Sequence, residues 1–227
     1  KQFERVCKWF LETDPRYSER LVNVWLWDDW PGRWGPDCGI DLVAEDRDGR
    51  TWAIQSKCYD PKYSVTRDDM DRFLTESIHE DIDHRLLIAT TNTVGANARR
   101  AIRNQNTVIP VSQLLLHDLE TAPIVWPSNP ARLKGGGPRK PVKRWPHQTQ
   151  AINNVTRNLG KRGQMISACG TGKTLAALWI SERLEAKRTL VLLPSLTLLS
   201  QTVSEWLTNA KEPFAYLPVC SDDTVSR

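Results

Sequence analysis

A chain of 227 residues is long enough for one large domain or two modest ones. Its hydrophobic fraction of 40% beside a charged fraction of 26% suits globular protein and excludes a chain too polar to hold a core. The formal charge of +4 is too mild to demand a nucleic-acid partner, although it permits one. Five cysteines without a CxxC pair or zinc spacing predict reduced thiols in a cytoplasmic protein. No apolar run approaches membrane-spanning length and Lys1-Gln2-Phe3-Glu4 is no signal peptide, so no membrane partner is expected.

Phe3, Val6, Cys7, Phe10 and Leu11 follow helical spacing and predict a helix over 2–12. Glu4 sits one position off that stripe, one turn before Lys8, where a surface ion pair would form. Asp14-Pro15 breaks the helix. Val22, Val24 and Leu26 alternate in a strand over 21–27, and Trp30-Pro31-Gly32 to Pro36 is a turn-rich loop. Five tryptophans between Trp9 and Trp34 read as a buried cluster rather than a base-stacking surface.

The next stretch organises the chain. Ile40 to Glu45 and Thr51 to Lys57 read as strands joined by Arg47-Asp48-Gly49, with Gly49 supplying the positive φ that such a loop needs. That loop length sets Asp46 opposite Arg50 and Asp41 opposite Gln55, and period-two alternation adds Lys57 to the same face. A two-residue Asp48-Gly49 turn would instead set Asp41 against Ser56. A carboxylate, an amide oxygen and an ammonium then converge. A hard ion such as Mg2+ would take Asp41, the Gln55 oxygen and the Ser56 carbonyl as ligands. The ion would polarise a phosphodiester and acidify a water while Lys57 orients that water or offsets charge on phosphorus. The plain alternative is an exposed hairpin with ordinary surface charges.

Thr66 is the expected N-cap of a helix with acids at 68, 69 and 71 and a buried face of Met70, Phe73, Leu74 and Ile78. Arg85 to Thr91 reads as a strand buried on both faces. A short helix over Ala96 to Arg103 carries Arg99, Arg100 and Arg103, either a phosphate contact or a solvated face. Thr107 to Val111 is the expected last strand, with Ser112 capping a helix through Leu119. These elements predict an α/β sandwich with the hairpin at its active edge.

The run G-x-D-x-G-I-D ending at Asp41, a short hairpin, then Gln55-x-Lys57 with Tyr59 following resembles the Mrr-like branch of the PD-(D/E)xK nucleases, across residues 1–119. The resemblance implies a restriction-endonuclease-like mixed sheet flanked by helices, with Asp41, Gln55 and Lys57 catalytic. It also implies an acid on the first helix in an F-E context, matched by Phe3-Glu4, with Glu19 as the substitute. Gln stands where relatives carry Glu, and as a neutral ligand it implies weak metal affinity. Asp37 would position the loop.

Residues 120–144 carry repeated prolines, Gly135-Gly136-Gly137 and a basic run, which predicts a linker. A second set of motifs follows over 145–227. Gln164 to Ala168 reads as a strand, then Cys169-Gly170-Thr171-Gly172-Lys173-Thr174 leads into a helix through Arg183. In that context backbone N–H groups cradle phosphates, Lys173 reaches the β/γ oxygens of ATP and the Thr174 hydroxyl ligates Mg2+. Ser167 stands where the usual first glycine is absent, as in the A-x-x-G-x-G-K-T form of superfamily 2 helicases. Trp145 to Ile152 resembles the helicase Q-motif, with Gln148 reading adenine and Trp145 where an arginine is common. Thr189 to Leu193 reads as a strand, and Pro194 to Gln201 resembles motif Ia, which contacts single-strand backbone.

These motifs predict the beginning of a RecA-like parallel α/β lobe. No DExH box follows, since Val219 to Asp223 lacks a strand before it and E-x-H after it, so the chain reads as the N-terminal piece of a larger enzyme. A nuclease, a basic linker and a motor resemble the N-terminal part of a single-chain Type ISP restriction-modification enzyme. That resemblance implies double-stranded DNA and ATP as partners, with methyltransferase and target-recognition domains in the remaining polypeptide. Two rivals stay open, a translocase with an inactive nuclease fold and a repair or Type I-like helicase-nuclease.

Overall fold

The apolar stripe closes into α1 (Gln2–Thr13), burying Cys7, Phe10 and Leu11. Asp14 turns extended and caps α2 (Pro15–Ser18), its carboxylate accepting the Arg16 N–H at 2.9 Å. After β1 (Leu21–Leu26) and a single helical turn at Trp27–Asp29 come β2 (Leu42–Asp46) and β3 (Thr51–Lys57). Their connection is the expected Arg47-Asp48-Gly49 loop, with Gly49 at φ +76. Asp46 stabilises it by accepting the Asp48 and Arg50 N–H groups, each at 3.0 Å. This computed structural model describes residues 1–36, 39–105, 109–158 and 162–219. They fall into two units, Lys1–Pro138 and a second beginning at Arg139.

The first unit continues with β4 (Ser64–Val65), α3 (Arg67–Glu76), β5 (His84–Ala89), β6 (Thr93–Val94) and α4 (Ala96–Gln105). Thr66 caps α3 as expected, in a reciprocal box with Asp69. The register at β7 (Val111–Leu114) departs from expectation: the strand runs through Ser112, whose hydroxyl pairs with His84 Nε2 at 2.9 Å. Thr107 and Val108 of the expected strand lie outside the described residues. The helix therefore starts later, as α5 (Leu116–Glu120), with the Asp118 carboxylate accepting the Leu115 N–H at 2.9 Å. Ile78, expected inside, lies beyond the end of α3 and is 54% exposed.

Pairing places the large sheet in the order β1-β2-β3-β5-β7, antiparallel on the hairpin side and parallel from β3 to β7. Alternation gives it two apolar faces. Leu42, Trp52, Ile54, Leu86 and Ile88 pack against Phe10 and Leu11 of α1. Val43, Ala53 and Leu87 pack against Met70 and Phe73 of α3 and Ala98 and Ile102 of α4. Each fully buried Leu, Ile or Phe side chain contributes about 1.5–3 kcal/mol, so the sheet is anchored from both sides. Arg85 is completely buried, with no carboxylate partner among the described residues; its guanidinium donates to Ser77 Oγ at 2.7 Å and to the Leu74 carbonyl at 3.0 Å.

The expected linker is folded in its first half. Ala122 and Ile124 enter the α1-side core, and β8 (Ile124–Val125) pairs with β9 (Gly137–Pro138). Trp126 stacks on Phe10 at 5.5 Å, and Gly136 lets the Trp9 ring and the Val125 carbonyl approach where a Cβ would clash. Apolar residues among the prolines outweigh their helix- and strand-breaking signal.

The second unit packs α6 (Pro146–Arg157), α7 (Lys173–Arg183) and α8 (Leu196–Asn209) around Ile152, Leu178, Trp179 and Trp206. The Trp206 indole donates to the Thr174 carbonyl at 2.9 Å, tying α8 to the start of α7. Residues 164–168 and 189–193 were expected as strands, yet no ladder forms among the described residues of this unit. Ile166, Leu190 and Leu192 are 87%, 85% and 83% exposed there. A strand is defined by its partner, and these segments have none among the described residues. No helix among the described residues is long and apolar enough to cross a membrane.

Candidate functional site

The hairpin register is the expected one: Leu42 faces Ile54, Ala44 faces Trp52 and Glu45 faces Thr51. At Asp41 it becomes irregular. The Asp41 N–H also donates to the Ile54 carbonyl at 2.9 Å, so Asp41 and Leu42 both answer to one residue, as in a β-bulge. Strict alternation consequently fails at this position and no longer fixes the face that the Asp41 side chain takes. Its carboxylate lies at the end of the ladder, where Oδ2 accepts the Ser56 N–H at 2.6 Å and the Ser56 hydroxyl at 3.0 Å. Oδ1 takes no hydrogen bond among the described residues. Burial pushes this carboxyl above the usual aspartate value; the Ser56 bonds oppose that, the Glu4 charge adds to it and the Lys57 charge works against it.

Gln55 is buried, 5% exposed, on the α3 side. Its Nε2 donates to the Gly39 carbonyl at 3.0 Å, and its Oε1 has no partner among the described residues. A buried amide oxygen without a donor costs about 1–3 kcal/mol, so such an atom calls for a ligand. Lys57 lies 3.8 Å from Asp69 on α3, whose carboxylate also receives the Tyr59 hydroxyl at 2.5 Å. Glu4 does not pair with Lys8, which goes to Glu12 at 3.2 Å. The substitute Glu19 pairs with Arg47 at the hairpin turn, the other end of β3 from Lys57, and Asp37 lies outside the described residues. Among the described residues no group of three or more His, Cys, Asp and Glu side chains is gathered for a metal. The Asp41 carboxylate and the Gln55 amide oxygen are donors of the type a hard divalent cation takes.

The sequence offered Ser56 only through its carbonyl, as a ligand; that its N–H and hydroxyl hold the Asp41 carboxylate was not foreseen. Asp69 reads as a helix-start acid, and only the fold turns its second oxygen toward Lys57 and Tyr59.

In the second unit Gly170 and Gly172 adopt φ +75 and +73, shaping the loop that starts α7. The Lys173 ammonium donates to the Ala168 carbonyl at 2.8 Å and the Ser167 carbonyl at 3.2 Å, across the mouth of the loop. Gln148 spans the gap between α6 and this loop, accepting the Trp145 N–H at 2.9 Å and donating to the Thr171 carbonyl at 3.1 Å. Both ends of the amide expected to read adenine are thus engaged within the chain. Thr171 closes the loop by donating to the Ala168 carbonyl at 2.8 Å. A cavity of about 230 Å³ beside it is lined by His147, Gln148, Asn154, Met165, Thr171 and Lys173.

Comparison with known proteins bears on both units. The family model for restriction endonucleases matches residues 12–133, and that for the res subunit of Type III restriction enzymes matches residues 142–223. Among solved structures, the ATP-dependent Type ISP restriction-modification enzyme LlaBIII bound to DNA is similar at a TM-score of 0.79 and 30% identity. The alignment covers 92% of this chain, which spans 14% of that enzyme's length. The MspJI restriction endonuclease in complex with a 27-mer oligonucleotide is similar at 18% identity and a TM-score of 0.35, over 52% of this chain and 26% of that one. No curated protein matches. With a mixed five-stranded sheet flanked by helices and, later in the chain, a glycine loop opening a helix, the chain belongs to the restriction endonuclease family, as an Mrr-like nuclease domain followed by a helicase-like region.

Proposed function

We propose that the first unit is a Mg2+-dependent DNA endonuclease and that the second belongs to an ATP-driven motor bringing it to double-stranded DNA. The observation that carries the nuclease reading is the buried Gln55 Oε1, without a partner among the described residues and held in place through its own amide by Gly39. Asp41 and Gln55 would hold the cation, and Glu4, whose charge reaches Asp41, assists. The bound cation supplies Lewis acidity to a phosphodiester and lowers the pKa of a water. Lys57 orients the attacking water or offsets charge developing on phosphorus. The remainder of such a polypeptide would complete the motor and add methyltransferase and target-recognition functions.

Plasmid cleavage by the intact protein with ATP tests this. Chelation by EDTA should abolish cutting and Mg2+ should restore it. Gln55→Glu places an anionic oxygen in the ligand position, and should lower the half-saturating Mg2+ concentration about tenfold, ~1.4 kcal/mol. Cutting in EDTA would refute the metal reading. Absence of cutting at every Mg2+ or Mn2+ concentration, with ATP binding intact, would favour a translocase with an inactive nuclease fold.

The motor reading assigns ATP to the loop of Gly170, Thr171 and Gly172, with Lys173 exchanging its loop carbonyls for phosphate oxygens and Thr174 holding Mg2+. Gln148 would keep the loop seated on α6 or read the adenine. Gly172→Ala puts a Cβ at positive φ and into the Gln148 amide. This substitution should cost about 1–3 kcal/mol in the loop and weaken binding of a fluorescent ATP analogue at least tenfold. Unchanged affinity would show that the bridge is dispensable.

A further inference from the structure

We propose that Asp69, together with Tyr59, positions the Lys57 ammonium for the cleavage step. The proposal rests on the reading that Lys57 takes part in catalysis. A lysine head on a flexible four-carbon stem carries about 2 kcal/mol of rotamer entropy, and a catalytic ammonium needs something to hold it.

What holds it comes from another element. Asp69 Oδ2 is occupied at the start of α3, accepting the Thr66 N–H and hydroxyl at 2.8 Å each. A helix cap requires nothing more. Its Oδ1 nonetheless turns toward β3, taking the Tyr59 hydroxyl at 2.5 Å and lying 3.8 Å from Lys57 Nζ. Tyr59 is itself fixed. Its N–H donates to Thr90 Oγ1 at 2.7 Å, and that hydroxyl returns to the Tyr59 carbonyl at 2.6 Å. The Thr90 N–H holds the Lys57 carbonyl at 3.0 Å. The end of β3 is therefore clamped to β5 by its backbone and to α3 by its side chains. Both charged groups are about four-fifths buried, 22% and 20% exposed, so their attraction is only partly screened. At 3.8 Å the pair is longer than a hydrogen bond, which leaves the ammonium protons for a phosphate or a water.

Hydrogen bonding also keeps the clamp in one protonation state. Burial pushes the Asp69 carboxyl up, but the Tyr59 and Thr66 bonds and the Lys57 charge outweigh it and hold it below the usual aspartate value. Burial and Asp69 push the Tyr59 phenol up to about 12, so it remains a donor at working pH.

Steady-state cleavage by the intact protein with saturating Mg2+ and ATP separates positioning from fold support. Asp69→Asn should lower kcat about 10–100-fold with KM for DNA unchanged. Tyr59→Phe, which leaves the α3 cap whole, should lower kcat by a smaller factor in the same direction. Phe73→Leu, which loosens α3 from its buried side, should lower the melting temperature and leave kcat within twofold. If Asp69→Asn melts below the assay temperature, Tyr59→Phe carries the test. Wild-type kcat in Asp69→Asn, or in Tyr59→Phe when that variant carries the test, overturns the proposal, as does an equal kcat loss in Phe73→Leu. Lys57→Ala runs in parallel: if it is inactive while Asp69→Asn is normal, only the positioning role falls. Wild-type activity in Lys57→Ala removes the catalytic reading and this inference together.

Discussion

Asp41→Asn should abolish DNA cleavage, by at least about a thousandfold, while the nuclease domain should melt at the same or a higher temperature. The amide has the carboxylate's shape, and its oxygen can still accept the Ser56 N–H and hydroxyl that Oδ2 accepts. What disappears is the charge. Burial and the neighbouring Glu4 raise the Asp41 carboxyl above its ordinary value, so ionising it disfavours the folded state. The sign follows from linkage: stability is lost as pH rises from the unfolded aspartate value through the raised folded one, and the neutral amide never incurs that loss. Plasmid nicking and thermal melting at pH 8 measure the two halves. Near-wild-type cutting refutes the catalytic role, and a clear drop in melting temperature shows that the carboxylate serves the fold instead.

Acidification from pH 7 to pH 4 should remove about 3 kcal/mol from the first unit through His84 alone. Burial, then the charge of Arg20, depresses this imidazole from 6.5 to about 4, against the opposing pull of Asp46 and Asp83. It packs on Trp52 with ring centroids 4.2 Å apart and pairs with Ser112 Oγ. A depressed histidine contributes stability above its unfolded pKa, and that contribution is lost as pH falls from 6.5 toward 4. The lowered carboxyls of Asp46 and Asp69 act below that window, near and under their ordinary value of 3.8. Denaturant midpoints followed by tryptophan fluorescence at several pH values check this. His84→Phe should flatten the curve between pH 6.5 and 4 relative to wild type, whereas parallel curves would exclude His84 as the source.

Legibility in the sequence divides along a physical line. Features set by local pattern were readable: the stripe of α1, the Thr66 cap, the buried β5 and the Gly49 loop with its register. What escaped depended on distant partners. The backbone at Asp41 leaves the regular ladder, its N–H going to the Ile54 carbonyl, while the Trp27 N–H holds its carbonyl at 2.9 Å from β1's end. Alternation within the hairpin cannot anticipate either. The fold of residues 122–138 depended on Phe10 and Trp9 of the first helix, more than a hundred residues away. Ser112 reads equally well as a cap and as a strand residue, and pairing with β5 decides it. In the second unit, apolar segments at 164–168 and 189–193 have strand composition, but composition supplies no hydrogen-bond partner.

Among the described residues the Arg85 guanidinium is balanced by dipoles rather than by an ion, its donors ending on the Leu74 and Ile109 carbonyls and the Ser77 hydroxyl. Dissolved salt weakens exposed ion pairs and contacts to a DNA backbone, but it has little purchase on a charge solvated inside the protein. The seat of α3, and the Asp69 carboxylate it carries, should therefore tolerate brine that dissolves the exposed ion pairs of the surface.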